Sequence, residues 1–307
     1  MMKYKSLSES PFFNVFLFSM FWALQIFIAK LGFLHGAKAV TMVFQSAFVA
    51  LFALSIYVLP KHFNKLKELP KKLIIGLLIA NAIHFGLGGF FSNSGIALTS
   101  AVNAGFLVKF ALVTTTVLAW IFLKEKMTWV KFVAVMVMLF GNFLISTKGQ
   151  SLIPQLGDIL IVLACLCWSV GNIMIRKTLN SNNLNADIIS FLRPVAGIPV
   201  LLFFILLTPL YPSSIQKIFA VNLFDTTYFV YALGSGLFTA LLWVYLNRTL
   251  KVASASYMTM MSMMTSIFVA VLALVFLKET MTLSQTVGAV LTIGAGIVTH
   301  YSGVAKG

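Results

Sequence analysis

The chain has 307 residues, 60% of them hydrophobic and 9% charged, which is too little charge for a soluble domain, where about a quarter of residues carry one. Its apolar residues come in continuous runs as long as a bilayer is thick, which excludes a transmembrane β-barrel with its alternating strands. The formal net charge of +15 falls largely in short connecting segments, where topology and anionic lipid account for it, so no nucleic-acid partner is expected and the bilayer is.

Ten spanning helices are predicted, over 11–31, 40–59, 73–93, 101–123, 128–147, 157–176, 188–208, 227–247, 253–277 and 282–301. The first begins near Pro11 and reads as an uncleaved span, because no small-residue cleavage site leads from it into a polar region. Trp22 sits inside it, Lys30 at its end is placed to snorkel, and Gly32 and Gly36 follow as a GxxxG step. In span 3, Asn81 and His84 are three apart and share a helix face. A membrane histidine there can shuttle a proton, bind substrate or bond a neighbouring helix.

Span 4 carries Asn103 and then Lys109, eight residues in and about 12 Å from the end at helical rise. Lys109 is flanked by apolar residues with no acid within a turn, so it either anchors an anionic group in a cavity or snorkels. Thr128 and Thr282 follow short charged turns and are expected N-caps, and Gln285 completes a capping box with Thr282. Cys165 and Cys167, two apart on one helix, face different ways and do not pair. Trp168 and Asn172 follow in span 6, Trp243 in span 8 and Tyr257 in span 9; they would supply a cavity with aromatic walls and amide partners. Arg193, just inside span 7 and before Pro194, is expected to snorkel or to hold helices together. The glycines of span 10, Gly288, Gly294 and Gly296, fit tight packing or a homodimer equally well.

All seven acids, Glu9, Glu68, Glu125, Asp158, Asp187, Asp225 and Glu279, fall in loops or at span ends, which argues against coupling through a mid-membrane carboxylate. There is no HExxH pair, no Gly-x-Ser-x-Gly elbow and no GxxxxGK[ST] loop. Neither an enzyme nor ATP-driven transport is therefore expected, and no metal or cofactor. A non-transporting membrane subunit would need no polar lining, so polar residues inside the spans favour a transporter.

The strongest signal is internal. FLKEKMT at 122–128 recurs as FLKETMT at 276–282, and the same offset lays Ser100-Ala101 on Ser254-Ala255 and Asn93 on Asn247. Trp22 likewise matches Trp168, and Lys30 matches Arg176. The chain divides into halves at 1–147 and 148–307, each with five spans. Because five is odd, the second half enters the membrane upside down, an arrangement typical of transporters. Fourteen of the 22 Lys and Arg fall in segments on the side of both termini and four on the other. Both termini are therefore expected in the cytoplasm and the chain in the inner (plasma) membrane.

A tryptophan in span 1, a Ser-Ala step before span 4, then FLKE and a span 5 rich in small residues, all repeated in the second half, resembles the EamA domain, which occurs twice in the drug/metabolite transporter superfamily. The resemblance covers about residues 11 to 301. It implies ten helices, a central cavity lined mainly by spans 1, 3, 4, 6, 8 and 9, and alternating access. It also implies metabolite substrates such as amino acids, sugars and nucleotide derivatives, often exported. Lys109 departs from the usual pattern, which has an apolar residue or a nearby proline. The expected function is transport of a small organic metabolite, anionic or zwitterionic, with Lys109, Trp22, Asn81, His84, Asn103, Trp168, Asn172, Trp243 and Tyr257 as candidate binding residues.

Overall fold

The structure, a computed structural model, describes residues 10–99, 101–182, 184–210, 216, 225–278 and 280–302. Lys3, Lys5, Glu9, Ser100, Lys217, Glu279 and Lys306 of the sequence reading lie outside them. The described residues contain no strand; ten helices are long and apolar enough to cross a membrane. They are α1 Pro11–Leu34, α2 Ala39–Glu68, α3 Lys71–Ile96, α4 Asn103–Leu123, α5 Trp129–Thr147, α6 Leu156–Asn182, α7 Ala186–Leu206, α8 Phe229–Val252, α9 Ala255–Phe276 and α10 Leu283–Tyr301.

Local chemistry sets the starts. Ser10 Oγ accepts from the Phe13 N–H with Pro11 opening α1, where a missing N–H costs nothing. Thr128 caps α5, and Thr282 with Gln285 forms the expected capping box on α10. Asn185 and Ser254 cap α7 and α9 in the same way. The helices outrun the predicted spans where their ends reach water. α2 continues through Pro60 to Glu68, with Lys61, Lys65 and Lys67 on its last turns, and α6 runs on to Asn182.

The two halves share backbone details that identity alone does not require. Lys124 and Lys278, equivalent in the FLKE repeat, both take the left-handed conformation, at φ 55° and 53°, an uncommon state for a side chain with a Cβ. α4 tightens into a 3-10 turn at Val108–Phe110, and α9 breaks at Met263, the repeat partner of Lys109. Each half therefore bends the same helix at the same place.

The halves interlock. α1 packs on α8 and α9, α6 on α3 and α4, α2 on α7 and α8, and α5 pairs with α10. The α5–α10 pair is close because Gly141 faces Gly288: a Cβ at Gly288 would stand 2.4 Å from the Gly141 carbonyl oxygen. Gly288 thus serves packing within the chain. Gly36 of the GxxxG step, at φ +102°, turns the chain between α1 and α2. Large apolar side chains such as Phe52, Trp129 and Leu283 cover the outer surface, where lipid would meet them.

Candidate functional site

A cavity of about 270 Å³ lies between the halves. It is lined by α1, α3, α4, α6, α8 and α9, the helices that the resemblance implied, and also by Met42, Val43, Ser46 and Ala47 of α2. The lining runs from Phe33 and Met42, beside the α1–α2 turn, to Leu246 and Met258 towards the α8–α9 turn. At the first end α4 and α9 do not pack closely, whereas at the other the second half of α4 lies against the start of α9.

Glu125, the last residue of the first FLKE, closes that second end. Its carboxylate accepts from the backbone N–H groups of Ala255 (2.7 Å) and Ser256 (3.3 Å) and from the Ser256 hydroxyl, and it pairs with Lys131 at 3.2 Å. A carboxylate at a helix start satisfies orphan N–H groups and complements the helix dipole. The sequence placed Glu125 in a short charged turn; the structure buries it at 6% exposure and makes it a link between the halves. Nearby, Arg248 pairs with Asp187 and bonds the Tyr57 hydroxyl, and Arg176 donates to the Leu250 and Lys251 carbonyls. Arg176 matches Lys30, which stands half-buried in α1.

Six of the nine candidate residues line the cavity: Trp22, His84, Lys109, Trp168, Asn172 and Trp243. Glycines make room for two of them. A Cβ at Gly88 would lie 2.5 Å from the Trp168 ring, and one at Gly171 would lie 2.5 Å from the His84 Cβ. His84 sits in a π-helical turn, Ala82–Leu87, a local widening frequent at functional sites. Lys109 is 8% exposed, its Nζ lies 5.7 Å from the centre of the Trp22 ring, and it has no hydrogen-bond acceptor among the described residues. Among the described residues its specific partner is the Trp22 ring, by cation–π attraction. Lys109 thus stands in the cavity wall, beside Trp22.

Three candidates do not line the cavity. The Asn81 Nδ2 donates back to the Leu77 carbonyl. The π turn begins directly after Asn81, so three residues no longer close one turn and Asn81 parts from His84. Asn103 donates to the Ile153 carbonyl and to Asp158, fastening the α5–α6 connection. Tyr257 is fully buried with its hydroxyl 2.8 Å from the His300 Nδ1. Arg193, expected to snorkel or to hold helices together, lies among α3, α7 and α8. At 0% exposure it does not snorkel, and it bonds side chains instead of freed carbonyls: His84 at 2.7 Å and Asn247 at 3.1 Å.

The cavity also contains residues that sequence reasoning passed over, among them Gln25, Thr115, Ser235, Thr239 and Ser262. Gln25 donates to Ser235, tying α1 to α8 across the lining. Among the described residues no group of His, Cys, Asp or Glu is placed to hold a metal ion.

The family model of the EamA-like transporter family matches residues 10–147 and 155–300. No curated protein matches the chain. Among the solved structures that match, one described only as the crystal structure of a protein covers 95% of this chain and 96% of its own. Its TM-score is 0.74 and its identity 14%, a likeness of fold alone.

Proposed function

We propose a transport cycle for this chain on the premise that it belongs to the EamA-like transporter family, whose model matches both halves. The chain carries a small organic metabolite across the membrane by alternating access, with the cavity between the halves as the binding site. One observation carries the reading: α4 and α9 meet across the cavity at one end and do not pack closely on each other at the other. Glu125 of the first half holds the start of α9, while the corresponding stretches of α4 and α9 at the α1–α2 end stand apart. In an inverted repeat the opposite state exchanges these roles. The bends at Val108–Phe110 and Met263 are the places where α4 and α9 exchange them.

Lys109 lies at one of those bends and is the anchor for the substrate's anionic group. Its repeat partner Met263 also lines the cavity, so the site has one cationic wall and one neutral wall. Such a site favours a single orientation of a substrate with one anionic end. With both termini cytoplasmic, as the distribution of Lys and Arg indicates, the cavity faces outward in this state. The bilayer concerned is the plasma membrane.

The experiment is uptake of labelled organic anions by reconstituted vesicles, with a melting curve for each variant. Lys109→Met should abolish uptake and leave the melting temperature unchanged or raised, because a largely buried charge without a counter-ion among the described residues is removed. Arginine should rescue poorly, since a planar fork does not replace a compact ammonium. Normal uptake by the methionine variant would remove Lys109 from the site.

A further inference from the structure

The cavity's lining distinguishes an anion from a zwitterion. Among the described residues Lys109 is the one charged residue of its lining, and none of them brings a carboxylate to it. Four described acids are already engaged, Asp225 at the α1–α2 end by the Thr227 N–H. Asp158 accepts from Thr99, Asn103 and the Gln155 N–H, Glu125 from Lys131 and Ser256, and Asp187 from Arg248 and Tyr57. Behind the lining stands a second cation, Arg193, which reaches the cavity-facing His84. A substrate ammonium would meet two cations and no counter-charge, a mismatch that discriminates by repulsion.

A second polar group waits unpaired. Asn172 lines the cavity at 7% exposure, its Oδ1 has no partner, and its amide makes no hydrogen bond among the described residues. Buried amides left without partners cost free energy unless a ligand or water supplies them. The α6 helix gives the spacing. The Cys165 Sγ lies 3.4 Å from the Leu107 carbonyl and 3.6 Å from the Val108 carbonyl, which puts Cys165 within about a turn of Lys109 along the bundle. Asn172 is seven residues further on, about 10 Å along the axis. Trp168, three residues after Cys165, and Thr115, bonded to Ser169, stand between the two levels, and Trp22 lies against Lys109.

We propose that the cavity selects a monocarboxylate without a cationic group, its carboxylate on Lys109 and a neutral hydrogen-bonding group about 10 Å away on Asn172, with a flat apolar body against the tryptophans. The proposal rests on the reading of the cavity as a substrate site, and it narrows the anionic or zwitterionic expectation to the first of the two.

The test is ligand binding to the purified protein, read as tryptophan quenching and as a shift in melting temperature. The probe is 3-(4-hydroxyphenyl)propanoate, compared with 3-phenylpropanoate, tyrosine and tyramine. Tyrosine adds an ammonium to the probe, tyramine replaces its carboxylate with one, and 3-phenylpropanoate lacks the hydroxyl. The expected order is the hydroxylated acid first, 3-phenylpropanoate next, tyrosine weaker than the probe by about tenfold or more, and no binding of tyramine. Lys109→Met should abolish binding of both acids. Asn172→Leu should bring the hydroxylated acid down to the affinity of 3-phenylpropanoate while leaving the latter unchanged, which also shows that the variant is folded. Tyrosine binding as tightly as the acid would overturn the proposal, and so would the absence of acid binding at millimolar concentration or acid binding that survives Lys109→Met. Binding in the expected order by a protein that moves nothing across vesicles would remove the transport reading and leave this one intact. Vesicle uptake of zwitterions in preference to acids would do the reverse.

Discussion

Arg193 shows how a charge is kept inside this bundle without an acid. Its guanidinium lies among α3, α7 and α8, with His84 and the Asn247 Oδ1 as partners. Asn247 in turn donates to Ser190, which donates to the Trp243 carbonyl. A hydrogen bond to a charged group contributes about 1.5–3 kcal/mol, and a buried charge that loses a partner costs the most. Asn247→Leu should therefore lower stability by about that amount in denaturation of the purified protein. An unchanged melting curve would show that Arg193 is held by His84 alone. Lys109, Trp22, Trp168 and Asn172 could be found in the sequence because a charge, an indole or an amide is conspicuous in an apolar run. Asn81, Asn103 and Tyr257 looked the same and point elsewhere, because azimuth around a helix depends on its packing partners. Thr115, Thr239 and Ser262 gave no signal, since small hydroxyl residues bond their own helix anywhere in a membrane. Glu125 was visible as part of a repeat, but its burial depends on the start of α9, 130 residues away.

At the scale of helices, number, order and caps were legible because continuous apolar length and capping residues are local properties. The π turn at Ala82–Leu87 was not, for it answers to contacts with α6 and α7: Gly171 against His84, and Gly197 against Phe85. Nor did the glycines of α10 reveal which of them meets another helix. Gly288 touches the Gly141 backbone, while a Cβ on Gly294 would have nothing within 4 Å. Gly288→Ala must push α5 and α10 apart, since a carbonyl oxygen cannot swing aside as a side chain does. It should cost about 1–3 kcal/mol. Gly294→Ala should stay within about 0.5 kcal/mol of the parent. Equal melting temperatures for the two variants would contradict the packing described for this pair.

The whole molecule is one design used twice and then made unequal. Both FLKE turns place a lysine in the left-handed conformation, and both α4 and α9 bend at one repeat position. Among the described residues the inequality is conformational at the ends, where α4 and α9 pack closely only on the Glu125 side, and chemical in the cavity, where the repeat partner of Lys109 is Met263. Under the proposed transport cycle, the first makes two states available and the second gives the substrate a direction in which to lie.

The claim that the cavity opens to one side at a time is tested most directly by a cysteine deep in its wall. Thr259→Cys, on a background lacking Cys165 and Cys167, places a thiol in the lining near the Glu125 contact. In sealed, oriented vesicles an impermeant thiol reagent should label it from the outer face and scarcely from the cytoplasmic face. Adding Glu125→Gln, which removes the charge that holds the start of α9 and pairs with Lys131, should raise cytoplasmic labelling several-fold and lower labelling from outside. Equal labelling from both faces in the parent, or a Glu125→Gln protein with an unchanged pattern, would contradict the account.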